Sequence, residues 1–197
     1  MANRNGFRIR YQNPHLPVPA PETYEGYDVV SAFYDHLPAG AHATISIDGY
    51  ALDLTGLLFV TWVRQCLSLA EQICFGGADQ SDYLRKFLPD LPPNARAYFW
   101  IAADIAIDSP ILVFAVDGET VLIYTRTDAN VSGPQLILSD RDKEEPTRVP
   151  RPLFIKEIRS FLTKYLGDVV AAFPFLRKDE LYRQYRARLA ALAQPAE

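Results

Sequence analysis

The chain has 197 residues, 49% of them hydrophobic and 22% charged, with a formal net charge of −4. That balance is ordinary for a folded globular protein and supplies apolar material for one sizeable core. It argues against a generic nucleic-acid binder, and no run reaches the roughly 18 apolar residues that would span a bilayer.

Arg4, Arg8 and Arg10 have no apolar stretch of secretory type behind them, which points to a cytoplasmic protein. Gly6–Gln12 alternates instead: Phe7, Ile9 and Tyr11 share one face, Arg8 and Arg10 the other, which predicts a half-buried strand. Pro14, Pro17, Pro19 and Pro21 then favour an extended arm over residues 13–26. Val29, Val30, Phe33 and Leu37 fit one face of a helix stopped by Pro38 and Gly40. Ala43–Leu54 reads as a hairpin turning at Asp48-Gly49.

Thr55–Phe75 predicts the central buried helix, with Leu58, Trp62, Leu69 and Ile73 along one side and Gly76-Gly77 as its stop. The two cysteines, Cys66 and Cys74, both fall inside it. Eight residues of helix place their Cα atoms roughly 12 Å apart. A disulfide needs about 7 Å or less, so both are expected as free thiols, in keeping with a reducing compartment.

Ser81–Leu88 reads as a short helix broken by the proline-rich segment after it, and Ala97–Ile105 as a strand. The strongest local signal follows. Ile111–Val116 and Thr120–Arg126 are β-rich runs flanking Asp117-Gly118, a pair that tolerates the positive φ of a tight hairpin turn. Gln135–Ser139 is expected as the next strand of a meander, and the charged stretch Ser139–Arg148 as an exposed loop. Beyond Pro150 and Pro152, the residues Ile155, Ile158, Phe161, Leu162, Tyr165, Val169 and Phe173 form an amphipathic stripe, with Lys156, Glu157, Arg159, Ser160 and Lys164 on its polar side. Pro174 interrupts the helix, and Asp179 caps a last one carrying Leu181, Tyr185, Leu189 and Leu192. The predicted fold is α+β: an antiparallel β-meander packed against a long central helix and a C-terminal helical segment, residues 152–193, in one domain.

No reactive constellation stands out. His36 and His42, with Asp35 and Asp48 nearby, match no established metal-ligand spacing, and a thiol inside a buried helix stays protonated. Motifs for nucleophilic serine, zinc-dependent or phosphate-binding chemistry are absent from the sequence. No cofactor or metal is expected. Charge is uneven, −8 over residues 1–150 and +4 over 151–197. An acidic body of this kind suits a basic protein partner. The candidate contacts are the hairpin-tip residues Asp117 and Glu119, the loop acids Asp140, Asp142, Glu144 and Glu145, and the sheet aromatics Trp100 and Tyr124. An apolar pattern on both faces of Ile111–Val116 favours the opposite fate for that sheet, cover on both sides.

The order of elements resembles bacterial immunity proteins of polymorphic-toxin systems. The segments that carry the likeness are ISIDGYALDL leading into the Thr55–Phe75 helix, and ILVFAVDGETVLIYTR followed by the Leu153–Phe173 helix. The resemblance implies a non-enzymatic protein that binds a cognate toxin and occludes its active site. It transfers no functional residue. Two other readings stay open: a small-molecule-binding or accessory subunit of a bacterial assembly, and an enzyme using Asp or His.

Overall fold

The computed structural model describes residues 6–12, 42–47, 50–86, 88, 90–101, 111–126, 130–132, 135–137, 145–172 and 174–193. The proline-rich arm and the segment between Tyr27 and Leu37 lie outside them. Strands β1 (Phe7–Gln12), β2 (His42–Ile47) and β3 (Tyr50–Thr55) form an antiparallel sheet in that order. β1 buries Phe7, Ile9 and Tyr11 and exposes the residues between them, as its alternation predicts. β2 and β3 pair outward from Ile47 and Tyr50, the hairpin expected around Asp48-Gly49; those two residues are outside the described set.

Helix α1 (Gly56–Phe75) follows β3 directly. It stops at Gly76, whose φ of +79° suits glycine and whose N–H bonds the Gln72 carbonyl at 3.0 Å. A Cβ there would meet the Arg96 guanidinium at 2.9 Å, so sterics as well as dihedral preference select glycine. Helix α2 (Ser81–Leu84) is shorter than the predicted Ser81–Leu88. The guanidinium of Arg85 takes over from it, donating to the carbonyls of Leu91, Pro93 and Ala95 at 2.9, 2.7 and 3.3 Å. These bonds satisfy backbone oxygens that the prolines leave without a ladder partner.

The second sheet contains β4 (Arg96–Ile101), β5 (Ile111–Asp117) and β6 (Thr120–Arg126). Strands β7 (Asn130–Ser132) and β8 (Gln135–Ile137) pair with each other in a separate ladder, and β9 (Thr147–Pro150) completes the antiparallel order β4-β5-β6-β9. The meander is therefore present, but its last strand is β9. The expected strand at Gln135–Ser139 sits elsewhere, as β8, and the end of the expected loop, Thr147-Arg148, is sheet. Val149 explains the difference: it is 1% exposed and lies opposite Val121, burial that four residues among charges and prolines do not advertise. The β5–β6 turn is also displaced by one residue. Asp117 pairs with Thr120, so the two-residue loop is Gly118-Glu119. Gly118, at the first loop position, takes φ +58°, where the primed turns require a positive value.

This sheet is covered on both faces. Tyr98, Leu112, Phe114, Val121, Ile123 and Val149 join the main core. Ala97, Val113, Ala115, Leu122 and Tyr124 point the other way, into a smaller core closed by Leu84, Leu88, Leu91 and Ala95. Helix α3 (Arg151–Ala172) spans the main core and packs on β1 and α1. Phe154 lies between Phe7 and Phe114 with the rings tilted, at centroid distances of 4.6 and 5.5 Å; further along, Tyr11 sits edge-on to Phe161 and Tyr165, both at 5.7 Å. α3 also closes the open edge of β1. The Ile9 N–H donates to Glu157 Oε2 at 3.3 Å, and Lys164 Nζ donates to the Tyr11 carbonyl at 3.4 Å. An edge strand left bare invites pairing with another chain, and these two side chains prevent it. A 3₁₀ turn (Pro174–Lys178) leads to helix α4 (Glu180–Ala191), whose N-cap Asp179 accepts from the Tyr182 N–H at 2.8 Å, the cap its sequence predicts. α4 is pinned to α1 by Arg188, bidentate on Glu71 at 2.8 and 2.6 Å.

The outer edge, β4, is held by Asp79. Its carboxylate accepts from the Ser81 N–H at 2.9 Å, the Ser81 hydroxyl at 3.0 Å and the Ala97 N–H at 3.1 Å. Burial works against the charged form, but these bonds and the nearby Arg96 outweigh it and hold the pKa below its usual value. The ionised carboxylate therefore stabilises the fold above about pH 4, and that contribution fades as pH falls through the lowered folded-state pKa. Asp79→Ala is expected to cost about 1–2 kcal/mol at pH 7, allowing for solvent screening of an exposed residue. The loss should shrink when urea unfolding is repeated near pH 3. An equal loss at both pH values would refute the assignment.

Candidate functional site

A groove of 480 Å³ opens where four segments meet. Cys74 and Phe75 come from the end of α1, Glu119 from the β5–β6 turn, Arg151, Pro152, Ile155, Lys156 and Arg159 from the first turns of α3, and Leu192 and Ala193 from the end of α4. Local rules place each part. The glycine stop after Phe75 ends α1 at the rim. Gly118 turns the hairpin so that Glu119 faces the start of α3, where the Arg151 N–H donates to the Glu119 carbonyl at 2.8 Å. Helical spacing of four then puts Arg151, Ile155 and Arg159 on one side of α3.

The floor is apolar: Ile155 and Leu192 are buried and Cys74 is half-buried. Phe75, at the mouth, is 56% exposed. The walls are basic. Arg151 makes one ion pair, Nη2 to Glu119 Oε1 at 3.3 Å, with a carboxylate whose side chain is 75% exposed. The Nε of Arg159 is buried and meets no hydrogen-bond acceptor among the described residues. The Cys74 thiol feels the whole arrangement. Burial pushes its pKa up, while the positive charges of Arg151 and Arg159 pull the other way. Cys66 is fully buried, and burial raises its pKa much further. Both are free thiols, as expected.

A second, more polar depression of 450 Å³ lies between α1 and α4, lined by Arg64, Gln65, Ser68, Tyr185 and Arg188. Arg188 is already committed there to Glu71 and Ser68. Among the described residues no three of His, Cys, Asp and Glu gather as a metal site, and no helix is long and apolar enough to cross a membrane.

The residues expected to contact a partner scatter. Glu119 is exposed but engaged with Arg151. Asp117 is half-buried at the end of β5, and Glu145 is exposed just before β9. Asp140, Asp142 and Glu144 lie outside the described residues, as do Asp35, His36 and Asp48. Trp100 pairs in register with Leu112, its side chain being outside the described set. Tyr124 requires a correction. At 1% exposure, inside the smaller core, it presents no surface to a partner, because α2 and the segment after it cover that face of the sheet. Sequence reasoning missed the groove. Lys156 and Arg159 read as an ordinary solvated helix face, and what marks them out is spatial: they line the groove with Arg151, and Glu157 beside them is bonded to the Ile9 N–H.

Comparison with protein-family models, with curated proteins and with solved structures returned no match.

Proposed function

We propose that this chain is a protein-binding module of the immunity type, which neutralises a toxin by covering its active site. The observation that carries the reading is Phe75. It is the most exposed large apolar side chain among the described residues, at 56%, and it stands at the mouth of a groove ringed by Glu119, Arg151 and Lys156. An aromatic anchor inside a rim of mixed charge is the usual make-up of a protein-binding hot spot. In this reading Phe75 supplies affinity. The acids Glu145, Asp140, Asp142 and Glu144 steer a basic partner and set the association rate. Glu119 belongs to the groove through Arg151, so the contact is centred on the end of α1 rather than on the acid loop.

The test has two stages. A photo-crosslinking residue at position 75 should capture a specific partner, and co-expression of the chain should rescue cells from that partner's toxicity. Phe75→Ala is then expected to weaken binding by about 2 kcal/mol, roughly thirtyfold, while Tyr83→Ala, at an exposed aromatic on α2, leaves it unchanged. Charge reversal of the four acids should slow association and flatten its salt dependence. Full protection by a Phe75→Asp variant would sink the proposal.

A further inference from the structure

We propose that the groove between α1, α3 and α4 is a binding site for a small amphiphilic anion, a carboxylate or phosphate carried on an apolar body. The inference goes beyond the toxin-neutralising reading and stands on residues inside the groove. Three observations carry it. First, charge is unbalanced: among the described residues Arg151, Lys156 and Arg159 line the cavity against one carboxylate, Glu119. That carboxylate holds Arg151 through a single 3.3 Å contact from a largely solvated position, so an incoming anion can displace it without stranding a buried charge. The other acid on this part of α3, Glu157, is turned away and spent on the Ile9 N–H.

Second, the Arg159 guanidinium lines the cavity, and its Nε has no acceptor among the described residues; that nitrogen is itself closed to solvent, so an anion would be met by the rest of the group. A guanidinium in such a position offers the forked geometry that suits carboxylate and phosphate oxygens. The positive end of the 22-residue helix α3 opens into the same space and carries no acidic residue in its first turn. The C-terminal ends of α1 and α4 also reach the groove and bring carbonyls, so the net attraction for anions rests on the three side chains. Third, the space has a matching apolar half. Ile155, Leu192 and Cys74 form the floor, and 480 Å³ falls within the roughly 300–1,000 Å³ of small-molecule sites. A bare inorganic ion would leave that floor wet, and a neutral apolar molecule would leave the cations unmatched.

The experiment uses the full chain and four probes: octanoate, octyl phosphate, inorganic phosphate and octanol. Binding is followed calorimetrically. Occupancy of this groove is read by mass spectrometry as protection of Cys74 from iodoacetamide, with buried Cys66 as the internal reference. Octanoate or octyl phosphate is expected to bind, to shield Cys74 and to weaken with added salt, and their relative affinity tells carboxylate from phosphate chemistry. Octanol and inorganic phosphate should each bind at least about tenfold more weakly. The double variant Arg151→Gln/Arg159→Gln should lose about tenfold or more in affinity. Lys156→Glu, at an exposed position that cannot disturb the fold, should weaken binding in the same direction. The proposal is overturned if neither octyl anion protects Cys74, if octanol protects it equally, or if Lys156→Glu leaves both affinity and salt dependence unchanged. Weaker anion binding in Arg159→Gln with partner binding intact separates this site from the protein-contact reading.

Discussion

Phe154→Ala is expected to destabilise the protein by about 3–5 kcal/mol, read as a lower urea midpoint at an unchanged m-value. The ring has no exposed surface and sits 4.6 Å from Phe7 and 5.5 Å from Phe114. It thus joins β1, β5 and α3, three elements from distant parts of the chain. Removing it forfeits the transfer energy of a buried aromatic and two ring–ring contacts, and leaves a cavity that two sheets and a helix cannot close together. Phe154→Leu keeps most of the volume and should cost less than half as much. A loss below about 1 kcal/mol for the alanine variant would mean that the first sheet and α3 are not held by this contact.

Much of this architecture was legible wherever one segment carries its own period. β1 alternates polar and apolar residues without a fault, α1 has a wide apolar stripe ended by a glycine, and Asp179 caps α4 as its position suggests. Each signal is local, and local physics decides it. β9 was not legible, because four residues show no period and Val149 is buried only through its pairing opposite Val121. The length of α2 escaped for a related reason: Arg85 reaches across to carbonyls at 91, 93 and 95, a tertiary set of bonds that no propensity encodes. The groove is the extreme case. Its lining comes from residues 74–75, 119, 151–159 and 192–193, and only the packed fold brings a glycine-stopped helix, a hairpin turn and two other helix ends to one place. Lys156 and Arg159 carry no mark in the sequence that separates a ligand-facing cation from a solvated one. The separating fact is spatial: one neighbouring acid bonds the Ile9 N–H, and the other sits out in solvent.

Tyr124→Ala is expected to lower stability by about 3–5 kcal/mol, which for a chain of this size shifts the melting temperature down by roughly 6–20 °C. The sequence allows two fates for this residue. As an exposed aromatic on a sheet face it would serve binding, and its truncation would change affinity while leaving stability within about 0.5 kcal/mol. In the structure it is 1% exposed and packs with Leu84, Leu88 and Leu91 in the smaller core. Among the described residues that core has nine buried members, so a cavity at Tyr124 removes a large part of what holds α2 and the residues after it against the sheet. Phe75→Ala supplies the opposite pattern. Its side chain is 56% exposed, so stability should stay within about 0.5 kcal/mol while partner binding falls. Thermal unfolding of the two variants side by side decides the matter: an unchanged melting temperature for Tyr124→Ala would return that face of the sheet to solvent and reopen it as a contact surface.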